Sequence, residues 1–468
     1  MLEPAYQADV VVVGAGAAGL SAAHRLTSAG VTTMVLEAAH GVGGRMATEK
    51  VDGFRLDRIG QLLSTAYPEL RLTAGLGGLA LRPFTPGVLL HGDGRHHRVS
   101  VQSGTGGARG ALHAVRALAS APRSPSAPRP LRRPVAVPGR QVSVPRSRSG
   151  APLGTAVDQA RLGAALTRLA GTPAERLLAR PELPAGEALA ARGLPARTID
   201  GFLRPLLAAL LCDPDLTTSS RCADLALRAF ASGRLCLPEG GAEALPELLA
   251  STLPPGTVHT GVRVTSVSTT SVTTAEHGEI HCRAVLVATD ARAAAELLPG
   301  LRVPDFHPVT VVHHTTDEPP GTGASLLLDA DLGGPVAHTA VVSRVDPSRA
   351  PAGRALVSST VLGRPPGDVD TAVRMHLARL YGVSTARWET LAVHHTAQAV
   401  PAMRPPHDLR RPVRLIAGLY VCGDHRDTST VQGALHSGHR ASAAILADLG
   451  AGRSIHAADP LPTVPRAA

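Results

Sequence analysis

The chain has 468 residues, 44% of them hydrophobic and 2% aromatic, and a formal net charge of +10. That length allows two or three domains with ample core, built here from Leu, Val and Ala because rings are so scarce. The charge does not mark a nucleic-acid face. Eleven arginines and no acid or aromatic lie between Asp93 and Asp158, so the rest sums to 10 − 11 = −1, whereas a nucleic-acid surface needs stacking rings among its cations.

The first ordered stretch runs from Ala8 to Glu37. Its apolar run, Val10 to Val13, predicts a buried parallel strand. Gly14, Gly16 and Gly19 follow in GxGxxG spacing. Gly14 permits a tight turn, Gly16 admits a pyrophosphate, and Gly19 lets the next helix pack on the sheet. Ala17 and Ala18 open that helix, predicted over Ala17 to Ala29, whose free amides and positive dipole end suit an anion. A second strand, Thr32 to Leu36, leads to Glu37, about 20 residues on, where a ribose hydroxyl is held in such folds. A dinucleotide site follows, NAD or FAD.

Next come Gly43-Gly44-Arg45, a short strand at 53–57, and Gly60-Gln61. An arginine fixed here would stand beside the same pyrophosphate. The run GxGxxG…E…GGRxxT…D…GQ resembles the flavin-dependent amine oxidase and phytoene desaturase superfamily. The resemblance implies FAD, with Glu37 on the adenosine ribose and Gly43, Gly44, Arg45 and Gly60 near the pyrophosphate and flavin. It also implies an α/β fold: a Rossmann-like FAD-binding domain with a discontinuous α+β substrate domain. The expected segments are 1–98, 236–300 and 396–450 for FAD binding, with 157–235 (helical) and 301–395 (sheet) for substrate, and a tail at 451–468.

A helix is predicted at Tyr67 to Leu76 and a strand at Gly87 to His91. The segment 99–156 is rich in Pro, Arg and Ser and lacks periodicity. Disorder is expected, because it cannot bury enough apolar surface to offset ordering entropy. An altered reading frame would give the same composition. Helices are then predicted at Asp158 to Ala170, Pro173 to Ala179, Pro184 to Arg192, Arg197 to Leu211 and Arg221 to Phe230. The resemblance places Val264 on the strand beside the adenine. Strands at Val309 to Thr315, Ser325 to Leu328, Val336 to Val342, Ala355 to Val361 and Arg387 to His395 predict an antiparallel sheet.

The closing element, Gly418 to Gly450, is a strand ending in Gly423-Asp424 and a helix from Val431 to Leu446. By resemblance, Gly423 and Asp424 hold the ribityl chain. The helix start at Val431 and Gln432 faces the flavin, where its dipole stabilises negative charge.

The expected function is an FAD-dependent oxidoreductase of dehydrogenase or desaturase type, moving hydride from an apolar or bulky small molecule. A flavin amine oxidase using O2 is the first alternative, and a degenerate flavin-binding protein without turnover is the second. Amine oxidases of the superfamily place a lysine by the flavin, whereas this chain has none after Lys50. His394, His395 and His425 are weak candidates for substrate or cofactor contact. No metal set is readable, and five irregularly spaced cysteines predict reduced buried thiols. No signal peptide or spanning run is seen, so a cytoplasmic protein is expected, with peripheral membrane contact left open.

Overall fold

Val10–Val13 is four valines in a row, none more than 4% exposed. A strand apolar on both faces must be covered on both. In the computed structural model, which describes residues 8–100 and 153–450, it lies inside a six-stranded sheet. We call it β1; α1 (Ala17–Ser28) and β2 (Thr33–Glu37) follow. β1 pairs in parallel with β2 on one side and with Ala284–Val287 on the other. Val258–Thr260 extends the first side, and Leu419–Val421 with Arg414–Ile416 extends the second. The register sets Val13 beside Leu36 and Val287, and Val287 beside Val421. The carboxyl ends of five parallel strands therefore form one edge, the place where open α/β sheets bind ligands.

The C-terminal helix α2 (Val431–Leu449) packs across α1. Glycine makes that approach feasible: a Cβ on Gly438 would lie 2.3 Å from the Ala18 carbonyl oxygen. Thr430 caps α2 by accepting from the Gly433 amide at 3.2 Å, which satisfies one of the first free amides.

The second sheet has seven strands, in the order Glu389–Pro401, Phe306–Thr316, Ala355–Leu362, Val336–Val341, Leu327–Asp329, Val88–Gly92 and Arg95–Val99. It departs from the expected antiparallel pattern once. Val88–Gly92 pairs in parallel with Leu327–Asp329, because this hairpin joins from an earlier part of the chain. The strand expected to end at His395 runs on to Pro401.

Helices Ala156–Gly171, Ala174–Leu178, Ala185–Ala191 and Ser220–Ser232 form a block against this sheet. The single helix expected from Arg197 to Leu211 is broken. A π turn over Ile199–Leu203 separates Ala196–Thr198 from Arg204–Leu211. Pro205 has no N–H for the Gly201 carbonyl, so the ordinary ladder cannot pass and the helix widens. The expected helix at Tyr67 shrinks to Glu69–Leu72. Of the stretch expected to be disordered, 99–156, residues 101–152 lie outside the described residues, whereas its ends are ordered: Val99 closes the strand Arg95–Val99 and Ala156 opens the helix Ala156–Gly171, capped by Thr155. No described helix is long and apolar enough to cross a membrane. All five cysteines are free and buried.

Candidate functional site

A cavity of about 650 Å³ opens along the carboxyl edge of the parallel sheet. The β1–α1 turn lines it with Gly14, Gly16, Ala17 and Ala18, and β2 contributes Glu37. Gly43, Gly44 and Arg45 come from the next loop, Gly60 from the turn after Phe54–Asp57, and Val264 from the strand Val264–Val267. Gly423, Asp424 and Val431 reach it from the far end of the chain. Residues more than 400 positions apart in sequence thus converge on one space.

The side chains there are held in place. Glu37 Oε2 accepts from the Ala15 amide at 2.8 Å and Oε1 from the Ala39 amide at 2.9 Å. The carboxylate is therefore oriented by backbone on both oxygens. Arg45 donates to Asp424 Oδ1 at 2.6 Å and to the Ala399 carbonyl at 2.9 Å. The guanidinium is fixed, but it ties the two ends of the chain together as well as lining the cavity. Asp290 and Glu296, together with Arg263, also line it. Glu296 belongs to no motif, and no sequence signal singled it out.

Two expected residues lie elsewhere. Gly19 does not line the cavity, and a Cβ there would sit 2.1 Å from the Gly14 carbonyl oxygen, which is the packing role its spacing predicts. Gln432 is absent from the lining, because its Oε1 accepts from the Glu69 amide at 3.0 Å and the side chain is spent on that helix. Lys50 lines neither cavity; it is exposed and pairs with Glu243 at 3.0 Å.

The three histidines singled out from sequence do not line the cavity. His394 Nε2 lies 3.3 Å from Glu49 Oε2. His395 Nδ1 pairs with Thr310 Oγ1 at 2.8 Å. His425 is 2% exposed, and neither ring nitrogen has a partner among the described residues. Burial pushes its pKa down to about 4, so the ring is neutral and packs against Gly423.

Sequence reasoning missed a second, smaller cavity of about 40 Å³ that shares Gly60 with the first. His313, His338, Ser358 and Thr360 line it from the seven-stranded sheet. His313 is satisfied on both nitrogens, by Ser358 Oγ at 2.8 Å and the Asp57 carbonyl at 3.0 Å. His338 Nδ1 is buried without a partner among the described residues. Asp57, which also lines this space, has its carboxylate occupied by Arg349, Thr48 and the Ala242 amide. The neighbouring His314 points to the other face of the sheet, toward Asp370 at 3.0 Å. His338 is a single ring in an apolar strand, and only the sheet register gives it a neighbour.

Burial pushes the pKa of both His313 and His338 down to about 4. A depressed value in the folded state means stability is complete above the unfolded value near 6.5 and is lost as pH falls toward 4. Each ring is expected to cost up to about 3 kcal/mol across that interval. Urea midpoints at pH 7 and pH 5 check this. His338→Leu should flatten the dependence, and a wild-type midpoint that does not fall in acid would contradict neutral rings.

A model of the family described as flavin containing amine oxidoreductase matches residues 17–446. Putrescine oxidase of Kocuria rosea is 46% identical over 98 residues, which is 20% of this chain and 20% of that protein. The match to this curated relative thus spans about a fifth of its length. An oxidoreductase from Methanosarcina mazei superposes with a TM-score of 0.67 at 16% identity, covering 92% of this chain and 99% of the other. Cyclohexylamine oxidase from Brevibacterium oxydans superposes at 0.63, also at 16% identity, covering 95% and 99%. At such identities these two structures speak to the fold.

Proposed function

The chain belongs to the flavin-containing amine oxidoreductases, and from that premise we propose that it is an FAD-dependent oxidoreductase acting on a small amine. The observation that carries the substrate reading is the buried, unpartnered His338 Nδ1 in the chamber that adjoins the larger cavity at Gly60. The names of putrescine oxidase and cyclohexylamine oxidase support the same class.

The large cavity fits FAD. Gly16 leaves the cradle open, since a Cβ there would meet no protein atom within 4 Å. The Glu37 carboxylate, the Gly14–Ala18 turn and the Val431 end of α2 are the donor and acceptor set a dinucleotide needs. In this reading Gly14, Gly16, Ala17 and Ala18 take the pyrophosphate and Glu37 takes the adenosine ribose. Val264 lies by the adenine, and Gly43, Gly44 and Gly60 lie toward the flavin. Arg45 holds Asp424 and Gly423 in place for the ribityl chain. When bound, FAD supplies the two-electron acceptor.

The chamber residues set the form of the substrate. With His313 and His338 neutral and the Asp57 carboxylate occupied, no free charge faces the amine. The amine enters uncharged, and His338 Nδ1 accepts from its N–H. The nitrogen lone pair is then free to form the C=N bond as hydride leaves the adjacent carbon. The proton lost from nitrogen passes to solvent after release. An apolar C–H substrate is the second reading, favoured by Phe84, Leu62 and Leu237 around the same chamber and by a lining without Lys50.

Anaerobic mixing of FAD-loaded protein with small primary amines is the test. Bleaching of the visible flavin band is expected, and His338→Leu should raise the amine concentration for half-maximal rate on the order of tenfold, one hydrogen bond's worth. Bleaching by apolar alkenes but by no amine would overturn the amine reading. Protein that stays colourless and cannot be reconstituted with FAD would overturn both.

A further inference from the structure

Away from both cavities, the one parallel pairing of the seven-stranded sheet sets Asp329 directly beside His91. Asp331 follows in the next turn. His91 Nδ1 lies 4.0 Å from Asp329 Oδ1 and 3.7 Å from Asp331 Oδ2. These three atoms fall within 4.8 Å of one another. Both separations are too long for hydrogen bonds, and His91 Nδ1 is buried with no partner among the described residues. The His91 side chain is 5% exposed, so water does not satisfy it freely.

The surroundings orient the three groups. Asp329 Oδ1 accepts from the Asp331 amide at 3.0 Å, and Oδ2 accepts from the Gly333 amide at 2.6 Å. His376 Nδ1 accepts from the Val336 amide at 3.1 Å, and its Nε2 lies 3.1 Å from Asp329 Oδ2. The Asp331 carboxylate accepts from the Asp93 amide at 3.1 Å. Arg379 stands nearby but donates to the Gly333 carbonyl. The His91 Nδ1 atom and two carboxylate oxygens thus converge at separations that no direct hydrogen bond closes.

We propose that His91, Asp329 and Asp331 bind one divalent transition cation, of which zinc is the representative, at the edge of the second sheet. The ligand types are those zinc takes, with Zn–N about 2.0–2.1 Å and Zn–O about 2.0–2.2 Å. Three protein ligands leave water to complete the shell, and Asp331, 44% exposed, gives the ion a way in. The cation would clamp the hairpin Val88–Val99 to the loop after Leu327–Asp329. It would also pin strands that run into the wall of the substrate chamber, which Leu326 and His338 help to line. The reaction itself does not pass through this ion.

The test uses the FAD-loaded protein, stripped with a chelator, re-equilibrated with zinc and dialysed. Metal content by mass spectrometry should be about one zinc per chain. Asp331→Asn, at a half-exposed position that the fold tolerates, should weaken zinc binding on the order of tenfold or more, with flavin content unchanged. His91→Ala should abolish it. Zinc should also raise the melting temperature of the wild type and leave that of Asp331→Asn unmoved. Zinc well below one per chain, or equal retention by wild type and Asp331→Asn, would overturn the site.

Discussion

Replacing Arg349 by methionine is expected to destabilise the protein by about 3–5 kcal/mol. Arg349 is 1% exposed. Its Nη1 meets Asp57 Oδ2 at 2.8 Å, its Nε meets Asp346 Oδ2 at 3.0 Å, and its Nη2 donates to the Pro238 carbonyl at 3.1 Å. The two carboxylates are themselves committed. Asp57 Oδ1 accepts from Thr48 and from the Ala242 amide, and Asp346 accepts from the Gly240 amide and Ser348. Methionine would leave two desolvated anions facing each other with no cation, and neither can turn toward water without dropping a backbone amide. The cost is that of the orphaned charges, which exceeds what the pair contributes over an apolar substitute. Denaturant midpoints should therefore separate two variants. Arg349→Met should fall steeply, while Arg404→Ala, whose side chain is 53% exposed and pairs with Asp305, should move by no more than about 1 kcal/mol. Equal shifts would show that the buried triad carries no special weight. Adding Asp57→Asn to Arg349→Met should recover part of the loss, because one of the two stranded charges is then gone.

The dinucleotide end of the molecule was legible because its chemistry is local. The β1 valines, the three glycines and Glu37 lie within a single strand, turn and strand, and each demands a backbone feature that only a few residues allow. The far-end match, Gly423-Asp424 with α2, was legible for the same reason. Gln432 shows where that reading stops: its place at the helix start was right, but a side chain one position along a helix turns to a different neighbour, here Glu69. The smaller cavity was not legible. His338 meets the others only through the register of strands drawn from 306–362, and the cluster of His91 with Asp329 depends on one parallel pairing between distant segments. His394 and His395 were attractive as a pair, yet the pleat sends them to Glu49 and Thr310. Propensity likewise gave the helix at Arg197 to Leu211 but missed its π turn, although Pro205 stood in plain view.

Gly16→Ala and Gly19→Ala are expected to part company although they sit three residues apart in one motif. Gly16 has φ −79° and ψ 176°, a backbone any residue adopts, and its added Cβ would meet no protein atom within 4 Å. It lines the large cavity, so the methyl group would stand in the space proposed for the cofactor. The apoprotein should keep its stability within about 0.5 kcal/mol. Affinity for FAD should fall about 10- to 100-fold, the equivalent of about 1–3 kcal/mol of crowding. Gly19 is the opposite case. Its Cβ would lie 2.1 Å from the Gly14 carbonyl oxygen, 3.1 Å from Ala288 Cβ and 3.2 Å from Val12 Cγ1. The nearest of these is backbone in the turn itself, so α1 must lift from the sheet. That lift also disturbs its crossing with α2, where Gly438 meets Ala18. Gly19→Ala should therefore lower the melting temperature of the apoprotein and lose FAD as a consequence. Calorimetry of both apoproteins, followed by titration with FAD, separates the two effects. If Gly16→Ala unfolds as early as Gly19→Ala, then Gly16 serves the fold and the cradle assignment fails. If both variants bind FAD like the wild type, the cavity at the end of β1 is not where the cofactor lies.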